Sequence, residues 1–261
     1  MSEADLQSDR TLADSPHRAS FAFYSGGIKR LLHTTWSVAL DLVYPPICVN
    51  CQRVGTLLCD YCIEAIEPLP ITTPPPNLFS NYFSDYIALG AHTTVLREAL
   101  HALKYEHEPR LGAVLGRLLA EKVQAEKWQI DIIIPVPLHS QRLAERGYNQ
   151  SNKIAETLAI EIGSTLASDA LDKVRATTSQ VELSAAERQH NVEGAFEVAE
   201  TYQQHLLNKT ILLVDDVCTT GSTLIACAEA LRKTHVASIF VATVTRAGST
   251  SADSLSGKTI S

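Results

Sequence analysis

The sequence predicts an α/β fold with a largely parallel sheet covered by helices. Three near-continuous apolar runs carry the prediction: residues 130–136 (IDIIIPV), 210–214 (TILLV) and 236–245 (VASIFVATVT). Strands that are apolar at almost every position are buried on both faces. The segments between them have helical spacing, which is how parallel strands are connected.

Composition bounds the rest. The 261 residues are 45% hydrophobic and 20% charged, enough to bury a sizeable core and too apolar for a disordered or collagen-like chain. The net charge is −7, with 22 Lys and Arg against 29 Asp and Glu, so any contact with nucleic acid or an anionic membrane has to use a local patch. The longest largely apolar stretch, residues 31–44, contains His33 and Asp41 and falls short of the roughly 20 residues a bilayer needs. It also lies too far along the chain for a signal peptide. A soluble, cytoplasmic protein without membrane insertion is therefore expected.

In chain order, residues 1–27 are polar and aperiodic and read as a disordered tail. Ile28, Leu31, Leu32, Trp36, Ala39, Leu40 and Val43 then fall at helical steps, and Pro45 and Pro46 stop that helix. The helix and a compact Cys-rich module occupy residues 28–70, and the Pro-rich run ITTPPPN opens a linker over 71–84. The α/β domain follows over 85–246. It contains a strand at 86–91, amphipathic helices at 94–107 and 111–127, the strand at 130–136, a basic loop, and a helix near 149–162. The strand at 210–214, a helix at 222–233 and the strand at 236–245 complete it, and residues 247–261 read as a second disordered tail.

Two segments carry chemistry. In the first, residues 211–231 (ILLVDDVCTTGSTLIACAEAL), the strand is expected to end at Asp215 and Asp216, and a small polar loop leads into a helix. Consecutive strand side chains point to opposite faces, so the two acids can serve one ligand only if the chain leaves the strand there. Thr219, Thr220, Gly221, Ser222 and Thr223 offer hydroxyls and amides at a helix N-terminus, an anion site that glycine lets a ligand approach closely. Carboxylates beside an anion site make sense if they bind hydroxyls or Mg²⁺. A phosphorylated sugar would satisfy both halves. Cys218, at the same helix start, is placed where thiolate is favoured, although a spacer role explains it as well.

The second segment holds Cys48, Cys51, Cys59 and Cys62 in the pattern C-x₂-C-x₇-C-x₂-C. Two short knuckles can wrap a tetrahedral Zn²⁺, and a module this small would take its folding energy from the metal. Disulfides are the alternative, disfavoured by the intracellular reading. Four thiolates leave no open position, so the zinc would be structural.

The stretch VDDVCTTGST closely resembles the 5-phosphoribosyl-1-pyrophosphate (PRPP) motif of type I phosphoribosyltransferases. YPPICVNCQR, LKY at 103–105, PVPLHSQRLAERGYNQS at 135–151 and QVELSAAERQHNVEGAF at 180–196 precede it in order. The whole resembles the ComF family of competence proteins over residues 31–246. That resemblance implies a type I phosphoribosyltransferase-like fold preceded by a small zinc module. It also implies ribose hydroxyls on Asp215 and Asp216, the 5-phosphate in the loop 219–223, and pyrophosphate near Arg142 and Arg146 with Mg²⁺. Arg188 and Asn191 would lie in a hood over the site. Lys104 and Tyr105 end a helix, where a cation needs no ligand to explain it.

The role implied is in natural competence: binding PRPP or phosphate and handling single-stranded DNA beside the competence DNA helicase. An active transferase with an unidentified acceptor and a nucleotide-sensing regulator are the alternatives. The best DNA surface by sequence is Arg142, Arg146, Tyr148 and Lys153, with Arg53 and Tyr61 of the Cys module as the rival.

Overall fold

The computed structural model describes residues 45–69, 79–175 and 194–247. The helix expected before Pro45, both tails, and the segment carrying Arg188 and Asn191 lie outside the described residues. In chain order the elements are α1 (Asp60–Glu64), α2 (Phe79–Tyr82), β1 (Asp85–Ala91), α3 (Thr94–Tyr105), α4 (Leu111–Ala125) and β2 (Ile132–Pro135). Then come α5 (Ser140–Arg146), α6 (Gln150–Ile162), β3 (Thr165–Leu166), β4 (Leu171–Lys173) and β5 (Phe196–Val198). A single 3₁₀ turn, β6 (Thr210–Cys218), α7 (Ser222–Arg232) and β7 (Ser238–Arg246) follow.

Five strands form one parallel sheet in the order β1-β7-β6-β2-β3, and β4 and β5 make a separate antiparallel pair. The longest strands, β6 and β7, sit at the centre because their side chains are buried on both faces. Leu212 and Val214 pack toward α3, α4 and α6, while Ile211 and Leu213 pack toward α7. This alternation is the period-two signature of a strand enclosed between two helical layers.

The long elements lie where the apolar patterns placed them, and two details differ. The basic loop contains α5, a helix capped by the His139 side chain and stopped by Gly147 at φ 82°. The strand expected to end at Val214 continues through both acids to Cys218. Its register with β7 is unbroken, from Val214 opposite Ala242 to Cys218 opposite Arg246.

The Cys module packs on the sheet domain. Cys48, Leu58, Cys59 and Cys62 are buried together with Val95 of α3, and Val114 and Leu118 of α4 close over them. A module with little core of its own thus completes one with side chains from two helices. Among the described residues no helix is long and apolar enough to cross a membrane.

Helices α4 and α6 touch backbone to backbone. A Cβ on Gly112 would lie 2.6 Å from the Cβ of Lys153, and one on Gly116 would strike the carbonyl oxygen of Ile154. This contact fixes the height of α6 over β6. Alanine in place of a helical glycine ordinarily stabilises by about 1 kcal/mol. Here Gly116→Ala is expected instead to destabilise by about 1–3 kcal/mol through overpacking, read as a lower urea midpoint at unchanged m-value.

Candidate functional site

Asp215 and Asp216 stay in extended strand at the carboxyl end of the central β6, and both are buried, at 8% and 5% exposure. Their side chains therefore leave on opposite faces of the sheet, each toward its own partners. On the α3/α6 face, Asp216 Oδ1 accepts from Gln150 Nε2 at 3.2 Å and Oδ2 is ion-paired with Lys104. Asp215 Oδ1 accepts from Ser151 Oγ at 2.9 Å and from the backbone N–H of Asp216 at 2.9 Å. The expectation that the strand breaks at the acids is corrected: β6 continues through them, and the first turn of α6 reaches over the strand end and bonds both carboxylates.

That turn is held in place by Asn149. Its Oδ1 accepts from the backbone N–H of Ser151 at 3.0 Å, capping α6, and its Nδ2 donates to the Val136 carbonyl at 2.9 Å just beyond β2. Gln150 and Ser151, consecutive residues, thereby face consecutive acids.

The charges of the pair are unlike. Burial and the neighbouring Asp216 charge push the Asp215 carboxyl well above the usual range. Burial also opposes the Asp216 charge, but the Lys104 ammonium and the Gln150 amide outweigh it and hold that carboxyl below its ordinary value. His92, bonded through Nδ1 to Thr245 Oγ1 at 2.9 Å, lies beside this pair. Burial first, and then the Lys104 charge, keep its imidazole pKa low.

The loop after β6 leads into α7. Gly221 takes φ 80° at the N-cap, a conformation costly for other residues, and brings no side chain to the helix start. Thr220 Oγ1 lies 2.8 Å from Ser222 Oγ and accepts weakly from the Ser222 amide at 3.4 Å. Thr219 is exposed, Thr220 and Thr223 are half-buried, and Ser222 is buried. Hydroxyls and first-turn amides thus meet at the positive end of an 11-residue helix. Cys218 is not the thiolate its helix-start position suggested. Burial beneath the loop pushes its thiol up to about 11, and it serves as packing.

Arg142 and Arg146 stand one turn apart on α5. Arg142 is exposed, while Arg146 donates to Gln150 Oε1 and lies 5.5 Å from the centre of the Tyr105 ring. Tyr148 turns its hydroxyl inward, donating to the Leu103 carbonyl. Lys153 is paired with Glu156 at 3.0 Å. On the Asp215 face, Lys173 of β4 lies 5.4 Å from the Phe196 ring centre, and burial lowers its pKa, with the charges of Cys227, Asp215 and Arg142 also felt there.

The structure thus brings Asp215, Asp216 and the loop 219–223 to one strand end, with Arg146 tied in through Gln150. Lys104, set aside as an ordinary helix end, belongs to this cluster, and Gln150, Ser151, His92 and Lys173 were not singled out by sequence at all. The signal for two of them was present: Gln150 and Ser151 complete the GYNQS end of a quoted motif. Lys104 also stands in a quoted motif, LKY, but its pairing with Asp216 needed the tertiary structure.

In the Cys module, the Sγ atoms of Cys48, Cys51, Cys59 and Cys62 all lie within 4.8 Å of one another, and none is in a disulfide. Cys48 and Cys62 are 3.7 Å apart and Cys51 and Cys59 3.5 Å, far longer than an S–S bond. Those spacings are close to the edge of a tetrahedron with metal–sulfur distances of about 2.3 Å. Burial raises both inner thiols. At Cys48 the backbone N–H groups of Cys51, Cys59 and Asn50 outweigh it and bring the thiol down to about 6, while Cys62 reaches about 12. Asn50 Nδ2 donates to Cys62 Sγ at 3.3 Å, a contact that supports a thiolate. The cluster can hold a metal ion such as zinc. Among the described residues these four cysteines are the group able to do so unaided.

Known proteins resemble this chain over much of its length. The phosphoribosyl transferase domain model matches residues 101–260. DNA utilization protein YhgH of Salmonella typhimurium is 32% identical over 206 residues, covering 75% of this chain and 86% of that protein. Competence protein F of Haemophilus influenzae is 32% identical over 166 residues, covering 62% and 72%. A distant likeness among solved structures is glutamine PRPP amidotransferase from B. subtilis, with 20% identity, 52% of this chain and 26% of that chain covered, and a TM-score of 0.36. The chain belongs to the phosphoribosyltransferase-domain proteins and, within them, to the ComF family.

Proposed function

We propose that the protein binds PRPP with Mg²⁺ at the β6 strand end and acts in DNA uptake by handling single-stranded DNA in the cytoplasm. The observation that carries this reading is the buried acid pair set beside a hydroxyl-rich helix N-terminus. One ligand end must be anionic and the adjacent part must donate hydrogen bonds, which describes a ribose 5-phosphate moiety. Thr219 to Thr223 would hold the 5-phosphate, and Asp215 and Asp216 would accept from the ribose hydroxyls. Arg142 and Arg146 lie on the side left for the pyrophosphate, where arginine forms bidentate pairs with phosphate oxygens. Magnesium, when bound, would neutralise part of the pyrophosphate charge.

Replacing both acids by Asn keeps their shape and removes the charge. PRPP–Mg²⁺ affinity in Asp215→Asn with Asp216→Asn is expected to fall at least tenfold in calorimetry; equal affinity would remove the site from the account. Pyrophosphate release from PRPP with candidate amines or bases, followed in parallel, would make the protein a working transferase.

The DNA role draws on what the relatives' names say of them, and the competence DNA helicase is the natural partner. The face beside the site supports it, with one change of aromatic. Tyr148 is turned inward, whereas Tyr105 is 59% exposed and already stacked under Arg146. Stacking a base on an aromatic is worth about 1–3 kcal/mol. Tyr105→Ala is therefore expected to weaken single-stranded DNA binding at least fivefold, and Arg142→Ala with Arg146→Ala to flatten its salt dependence. Unchanged affinity and slope would move the DNA elsewhere, Arg53 and Tyr61 of the Cys module being the next surface.

The four cysteines hold one structural zinc in this proposal. Protein purified without added metal is expected to carry one zinc per chain, released by a thiol-reactive reagent with loss of thermal stability. Disulfides and no stoichiometric zinc would overturn it.

A further inference from the structure

We propose that Lys104 is a ligand-binding residue that makes the site selective for a ribose 5-phosphate bearing a second anionic group. The inference rests on the PRPP reading above. Lys104 is ion-paired with Asp216 and Gln150 holds the other oxygen of that carboxylate, so each oxygen has a partner. The carboxylate is almost fully buried beneath these partners, so a ribose hydroxyl that approaches it competes with them for its remaining lone pairs. Gln150 is itself fixed by Arg146 and sits on the capped start of α6. Lys104 is the movable one: its side chain is 20% exposed, on a four-carbon stem in the last turn of α3.

Once released, the ammonium is left at a largely buried position and needs a new anion. Its neighbour Tyr105 carries the Arg146 guanidinium on its ring, so Lys104 and Arg146 lie on the same side of the acid pair. That side is the one assigned to the pyrophosphate. A ligand with both hydroxyls and pyrophosphate satisfies Asp216 and Lys104 together. Ribose 5-phosphate breaks the ion pair and gives Lys104 nothing in return. Inorganic pyrophosphate alone has to draw Lys104 off a charged partner. The two halves of PRPP therefore bind cooperatively through one cation exchange.

The test is a double-variant cycle on Lys104→Gln, Asp216→Asn and their combination. Calorimetry at fixed Mg²⁺ uses PRPP, ribose 5-phosphate and inorganic pyrophosphate, with thermal melts to confirm folding. Lys104→Gln is expected to reduce the preference for PRPP over ribose 5-phosphate about tenfold or more, the scale of one charge-assisted contact. Asp216→Asn frees the ammonium and is expected to bind pyrophosphate at least fivefold more tightly than wild type, a gain lost in the double variant. Neither of these last two proteins leaves an unpaired buried carboxylate at 216, so they keep the test decisive if Lys104→Gln alone fails to fold. A merely structural Lys104 would shift stability and leave the preference and the pyrophosphate gain at unity, which would overturn the proposal. Wild type that binds none of the three compounds would sink the PRPP reading itself, and this inference with it.

Discussion

Two carboxylates sit side by side at the end of a buried strand, and neither can remain there as a bare charge. An isolated ionised group in such a place would either neutralise or unfold its surroundings. Much of the sheet domain is arranged to prevent that. Helix α3 ends where Lys104 can meet Asp216, α6 begins where Gln150 and Ser151 can reach both acids, and Asn149 ties that start to the β2 end. The glycine contact between α4 and α6 sets the height at which this happens. The helix that carries Gln150 and Ser151 is thus seated by a close backbone contact with α4.

The same requirement explains why the acids lie on a continuous strand. A bend would bring both side chains to one face and crowd two charges together. Continuous strand sends them to opposite faces, where one keeps its charge against a lysine and the other is pushed toward its protonated form. The loop 219–223 begins three residues after Asp216, beyond the buried Cys218 that ends the strand.

Much of this was legible in the residues themselves. Short continuous apolar runs between helical patterns read as two-sided strands, and the loop TTGST gathers hydroxyls and a glycine at one helix start. The Cys spacing named its four sulfurs. What stayed hidden depends on distance in space. Lys104 reads as an ordinary helix end until α3 is laid against β6, and Tyr148 reads as an exposed aromatic until its hydroxyl finds the Leu103 carbonyl. The two-residue β3 and the short β4 and β5 carry too few side chains to show a period. The extension of β6 through Asp215 and Asp216 was missed because acids ordinarily mark a strand's end, and here each has a buried partner.

Helix α3 joins two regions of this molecule that otherwise look unrelated. Val95, in its first turn, helps to bury Cys48, Cys59 and Cys62, and Lys104, in its last, rests on Asp216. Nine residues of helix make a stiff strut of about 14 Å between them. The sulfur cluster and the ammonium on Asp216 thus share one rigid element, although neither touches the other.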